Sequence, residues 1–257
     1  MQLRAHALTV LLCNDANQKA ALGRCSVDRA IIDTLAPSTI PPGIPGRPQK
    51  PELVAHSAVQ YSAVSTVAGR AALLHALAHI ELNAIDLAAD AVWRFADMPE
   101  DYYRDWARVM QEEALHFQLI RDHLATLGYA YGDFPAHNSL WEMAERTAHD
   151  VLARMALVPR TLEARGLDAS PGVRNKLISV GDKAGAAVID IILRDEIGHV
   201  AIGNRWYNWL CTQRGLNPVV TYRQLAAQFH APRLRGPFNV QARLAAGFSP
   251  SEIDALN

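Results

Sequence analysis

Cysteine is scarce: Cys13, Cys25 and Cys211 are the whole complement in 257 residues, an odd number with no CxxC or CxxH pairing. That argues against a disulfide framework and against a zinc or iron–sulfur cluster, and a reducing cytoplasm is the simplest home. Net charge is equally small, −1 at pH 7 with a pI near 6.8, so nothing global marks a nucleic-acid binder or a polybasic membrane protein. The opening "MQLRAHALTVLLC" holds only a short apolar run with no clear cleavage signal after it, and no stretch is expected to reach transmembrane length. A soluble chain with no membrane partner is the expectation. Alternating strand-like runs of useful length are missing as well, which leaves helix as the main regular structure.

Half of the residues are hydrophobic, enough for a substantial core. Residues 1–35 have helical spacing and predict a leading helix or two. The stretch "APSTIPPGIPGRPQKP", residues 36–51, then packs six prolines and two glycines and reads as an extended connector. Four long helices are predicted near residues 67–96, 100–127, 139–166 and 182–212, separated by "ADMPED", by "GYAYGDFPAHNS" and by "GLDASPG" with the segment up to "VGDK". After Asn217 loops mix with short helices, one of them opened by the capping pattern "SPSE" at Ser249 or Ser251. The expected organisation is therefore an all-α chain: 1–66 as a helical segment and Pro-rich connector, 67–212 as a four-helix bundle, and 213–257 as an extension packed on it.

Two distant stretches repeat one pattern. "EEALHFQ" from Glu112 and "DEIGHVA" from Asp195 register at a constant offset of 83, which lays Glu113 on Glu196 and His116 on His199. Residues three apart share a helix face, so each Glu-x-x-His pair can grip one metal ion or one partner. A single such pair arises often by chance. Two in equivalent helices carry more weight, and each has an acid upstream at matching distance: Glu81 lies 32 residues before Glu113, and Glu163 lies 33 before Glu196. If each pair of helices forms an antiparallel hairpin, the turns fall near Asp97 and Val180, and the four acids come to similar depths.

The neighbours say which way these acids face. Leu74, Leu77, Ile85 and Ala88 flank Glu81; Trp106, Val109, Phe117 and Ile120 flank Glu113; Leu152, Ala156, Pro159 and Gly166 flank Glu163; Ile189, Ile192, Val200 and Gly203 flank Glu196. Each carboxylate interrupts an apolar seam. Unpaired buried carboxylates cost several kcal/mol or more apiece, so four facing one another require cations. Structural salt links are the bland alternative. Glu142, the rival on the third helix, has polar neighbours and is expected in solvent. His75 and His79 are read as core histidines, and His123 and His149 as surface ones. Glu112 and Asp195 are candidates to accept a ring N–H from the ligand histidines, set against ordinary exposed helix acids. Pro159, one turn before Glu163, should kink or widen its helix, with a π-like irregularity as one form. Arg223, Arg233, Arg235 and Arg243 make the tail locally basic, a candidate hold for a phosphate-bearing substrate.

Four Glu and two His from four helices, Glu81, Glu113, His116, Glu163, Glu196 and His199, match the ligand set of ferritin-like dinuclear carboxylate bundles. Such donors suit iron(II) or manganese(II) better than structural zinc. With "GRPQKP", "LLHALAHIELNAIDLAADAVWRF", "LVPRTLEARGLD", "LRDEIGHVAIGNRW" and "PFNVQARLAAGF", nearly the whole chain resembles a bacterial family of unknown function in the ferritin-like superfamily. "TLEAR" with the downstream acid-x-x-His also resembles the tRNA-modifying di-iron monooxygenase that hydroxylates a prenylated adenosine. The resemblance implies two iron ions, with manganese or a mixed manganese–iron pair as alternatives, and oxygen activation on a small-molecule or nucleoside substrate. Manganese-catalase-like peroxide disproportionation and iron storage are the rival functions. The terminal extensions weigh against a storage shell, and the absence of a CxxC pair implies an external electron donor. A homodimer is expected, since bundles of this kind often pair through an outer helix face.

Overall fold

The computed structural model describes residues 1–36, 41–58 and 62–255; part of the expected connector, residues 37–40, lies outside them. The fold is all-α, and among the described residues the only β pairings are isolated bridges, Gln2 with Ile31 and Leu53 with Ala136. Two compact units divide the chain, Met1–Ser139 and Leu140–Asn257.

In the first unit the two leading helices are α1 (Leu3–Leu12) and α2 (Ala16–Gly23), the latter capped by the Asp15 carboxylate, which accepts from the Gln18 N–H. They pack on a hairpin of α3 (Val67–Arg94) and α4 (Glu100–Thr126). Thr66 caps α3 by accepting from the Gly69 N–H, and the turn between the two long helices passes through Asp97 at φ 59°. The described part of the connector is pinned at Gly46. The Gly46 N–H donates to the Leu11 carbonyl at 2.7 Å, and a Cβ on Gly46 would stand 2.2 Å from the Leu12 carbonyl oxygen, so only glycine allows this approach. Lys19, fully buried, donates to the Gly46 carbonyl at 2.7 Å and to Asp86 of α3, tying α2, connector and α3 through one buried charge pair.

Contrary to expectation, one helix among the described residues does have the length and apolarity of a membrane span: α3. About 72% of its apolar window is buried inside the protein, and it carries Glu81, Asp86 and Asp90, as befits a core helix.

The second unit holds the largest departure from the sequence reading. The third long helix, expected at 139–166, is divided into α5 (Ser139–Arg146), α6 (Val151–Leu157), a π-helical turn (Val158–Glu163) and α7 (Ala164–Ser179). Asp150 starts α6 by accepting from the Leu152 N–H, while buried Arg154 spans the break, donating to the Ala144 carbonyl at 2.6 Å and to Thr147 Oγ1 at 3.0 Å. The segment "GLDASPG", taken for a loop, is helical despite Pro171. Proline has no N–H for the Leu167 carbonyl one turn back, and the Asn239 side-chain amide donates to that carbonyl at 3.1 Å instead. This substitution of a distant donor for a missing local one lets the helix run on to Ser179. Then α8 (Lys183–Gln213), capped by Asp182, packs along α6 and α7, followed by α9 (Pro218–Gln228), α10 (Val240–Ala245) and α11 (Pro250–Asp254). The capping box falls on Ser249 with Glu252, the first of the two serines proposed.

Candidate metal centre

Each unit carries one copy of the repeated acid and Glu-x-x-His pattern. In the first, Glu81 comes from the middle of α3 and Glu113 and His116 from the middle of α4, brought level by the turn at Asp97. The three side chains each offer a ligand atom within 4.8 Å of the others. Glu113 and His116 have no exposed surface and Glu81 has 4%. His116 Nδ1 lies 3.2 Å from Glu113 Oε2 and 3.3 Å from Glu81 Oε2.

The electrostatics of this trio are those of a site built around positive charge. Burial pushes the Glu81 carboxyl well above the usual carboxylate range, and the charge of Glu113 pushes it the same way. Burial alone would lower His116, but its hydrogen bonds to Glu113 and Glu81 and their negative charges outweigh that, raising it to about 11. Both shifts act in one direction, towards holding protons among the two acids and the imidazole, where a cation could stand instead. A metal ion on the same carboxylate oxygens and imidazole nitrogen would take the place of those protons.

In the second unit Glu196 and His199 stand one turn apart on α8, with Glu196 Oε1 3.8 Å from His199 Nδ1; Glu196 is 7% exposed and His199 fully buried. Glu163 is half-buried and closes the π-helical turn. The irregularity expected at Pro159 is therefore present as a π turn, in which the Ala164 N–H reaches back five residues to the Pro159 carbonyl. Gly203 of α8 makes room for it: a Cβ there would stand 2.6 Å from Pro159 Cβ. Such a turn rotates the residues after it relative to a regular helix, and Glu163 is the residue whose direction it sets.

Glu142, set aside as a rival, is exposed and pairs loosely with Arg146 at 4.0 Å. His75 and His79 are core residues: His75 Nε2 accepts from the Gly132 N–H at 2.9 Å, and His79 contacts the Tyr131 hydroxyl at 2.8 Å and the His137 carbonyl at 3.1 Å. His149 is exposed, whereas His123, expected at the surface, is half-buried. Asp195 is occupied by Arg194, at 2.7 Å and 3.0 Å. Of the four tail arginines, Arg243 is not available to a substrate, being fully buried and paired with Asp168 at 2.6 Å. What sequence reading missed is the buried polar set holding these elements in place, Lys19, Arg154 and Arg160; a charge in a near-apolar helical stripe was the signal for Arg154, and "LVPRTLE" carried the same signal for Arg160.

No solved structure matches the chain. A protein of Haemophilus influenzae described as "Uncharacterized protein" is 50% identical over 214 residues, covering 80% of this chain and 74% of that protein. The model of DUF455, described as a protein of unknown function, matches residues 12–254, and the chain belongs to that family.

Proposed function

We propose that this chain is a ferritin-like dinuclear metal protein in which two iron ions activate dioxygen for the oxidation of an organic substrate, with electrons from an external donor. The observation that carries this reading is the buried trio of Glu81, Glu113 and His116, together with a second copy of its helix pattern at Glu163, Glu196 and His199. In the proposal these six side chains are the ligands, with one Glu-x-x-His pair and one further acid from each copy. Iron bound there supplies Lewis acidity and the electrons that dioxygen requires.

The chain's own residues do the rest. The carboxylates offset the cations' charge and so set their affinity, and the histidines add nitrogen donors that release their proton when a metal binds. Trp106 and Phe117 beside the first pair, and Ile192 and Val200 beside the second, are buried and exclude water from the ligands. In the proposal the π turn at Pro159 directs Glu163, and such turns inside helices are frequent at functional sites.

The test is elemental analysis of the full chain purified without chelator, alongside Glu113→Ala and Glu196→Ala. About two iron ions per chain, with a loss of at least one in each variant, is the expected result. Two metals retained in both variants would remove the assignment. Manganese in place of iron, with peroxide disproportionation by the same protein, would transfer the site to catalase chemistry.

A further inference from the structure

A second feature lies wholly within the second unit and owes nothing to the metal ligands. On α7, Arg165, Asp168 and Ala169 share one face, and the segment 232–238 passes over it. Between them is a cleft of about 340 Å³ lined by these residues and by Arg233, Leu234, Arg235, Pro237 and Phe238. That is the size of a site for a mononucleotide-sized molecule.

The charge of the cleft is one-sided. Its single acid, Asp168, is consumed: Arg243 donates to Oδ1 at 3.0 Å and to Oδ2 at 2.6 Å, and the Asn239 N–H donates to Oδ1 at 2.8 Å. Arg243 is itself fully buried and stacks 5.1 Å over the Phe238 ring, so this acid is locked by the protein's interior. Arg165, Arg233 and Arg235 are exposed and have no carboxylate partner among the described residues. Arg165, Arg233 and Arg235 line one hollow without a carboxylate counter-charge, and an anion with several oxygens would offset their charge. Guanidinium forks match the oxygens of phosphate in pairs. The same lining holds Leu234, Pro237 and Phe238, which are available to an organic body.

We infer that this cleft binds a small phosphorylated molecule, a phosphate or diphosphate ester whose charged end is held by Arg165, Arg233 and Arg235 and whose organic part rests on Leu234, Pro237 and Phe238. The locked Asp168–Arg243 pair acts as the rigid base of the site: it keeps a carboxylate from competing for the arginines.

Isothermal titration calorimetry of the full chain with pyrophosphate tests the inference, in wild type, Arg233→Ala/Arg235→Ala and Arg165→Ala. One pyrophosphate per chain is expected, weakened at least about tenfold in each variant while melting temperature and metal content stay at the wild-type values. No binding, or binding that ignores all three arginines, overturns it. A single-stranded oligonucleotide is the second arm. Binding of the oligonucleotide through the same arginines, with none of pyrophosphate, would assign the patch to a nucleic-acid backbone and overturn the small-ligand site. Because the variants leave Glu113 and Glu196 intact, failure here leaves the metal reading untouched, and failure of the metal reading leaves this one standing.

Discussion

His75 shows how a buried residue contributes to the response of the fold to acid. Burial lowers its pKa to about 4, only partly countered by Asp133, and its Nε2 serves as the acceptor for Gly132 in the neutral form. An unfolded histidine takes up a proton near pH 6.5, so between that value and about 4 the unfolded chain binds the extra proton. The contribution is fully present above pH 6.5 and is lost as pH falls through the unfolded value toward the folded one. Urea unfolding of wild type should show stability falling over that interval, with His75 accounting for on the order of 3 kcal/mol by pH 4. His75→Asn should reduce the slope by that amount; an unchanged slope would show that His75 does not resist protonation in the folded chain.

Among the elements, the π turn is the one whose existence depends on a neighbour. Pro159 would disrupt an isolated helix, and the turn it makes fits only because Gly203 presents bare backbone to the proline ring. Gly203→Ala places a methyl group at 2.6 Å from Pro159 Cβ and should cost roughly 1–3 kcal/mol by overpacking, measured by chemical denaturation. Adding Pro159→Ala should recover much of that loss. If the two changes are additive, the contact does not set the turn. α7 makes the same point about proline from the other side: Pro171 is tolerated because Asn239, from a segment 68 residues later, takes the orphaned Leu167 carbonyl.

For the molecule as a whole, the proposed ions tie folding to metal supply. A ligand that binds the folded chain alone stabilises it by mass action, and buried acids without a cation are unfavourable. Removing metal with a chelator should therefore lower the melting temperature of wild type by several degrees. Glu113→Ala, lacking one ligand, should show less than half that response in differential scanning fluorimetry. Equal responses in the two proteins would place the stabilising ion elsewhere. The division of the chain into two compact units puts one copy of the sequence pattern in each.

Periodicity and chemistry made much of this legible from the residues alone. Apolar spacing of three and four, with acids set into the apolar stripes, pointed to the all-α class, the hairpin of α3 and α4 and the burial of Glu81, Glu113, His116, Glu196 and His199, because a helix face and its register are local properties. The exclusion of Glu142 followed from the same local argument. What only the tertiary structure decided is where distant groups satisfy one another. Pro171 inside a helix, Lys19 buried on Asp86, Arg243 locked on Asp168 and the π turn at Pro159 each depend on a partner far along the chain, and a donor, acceptor or missing Cβ supplied from a distance leaves no trace in the local pattern.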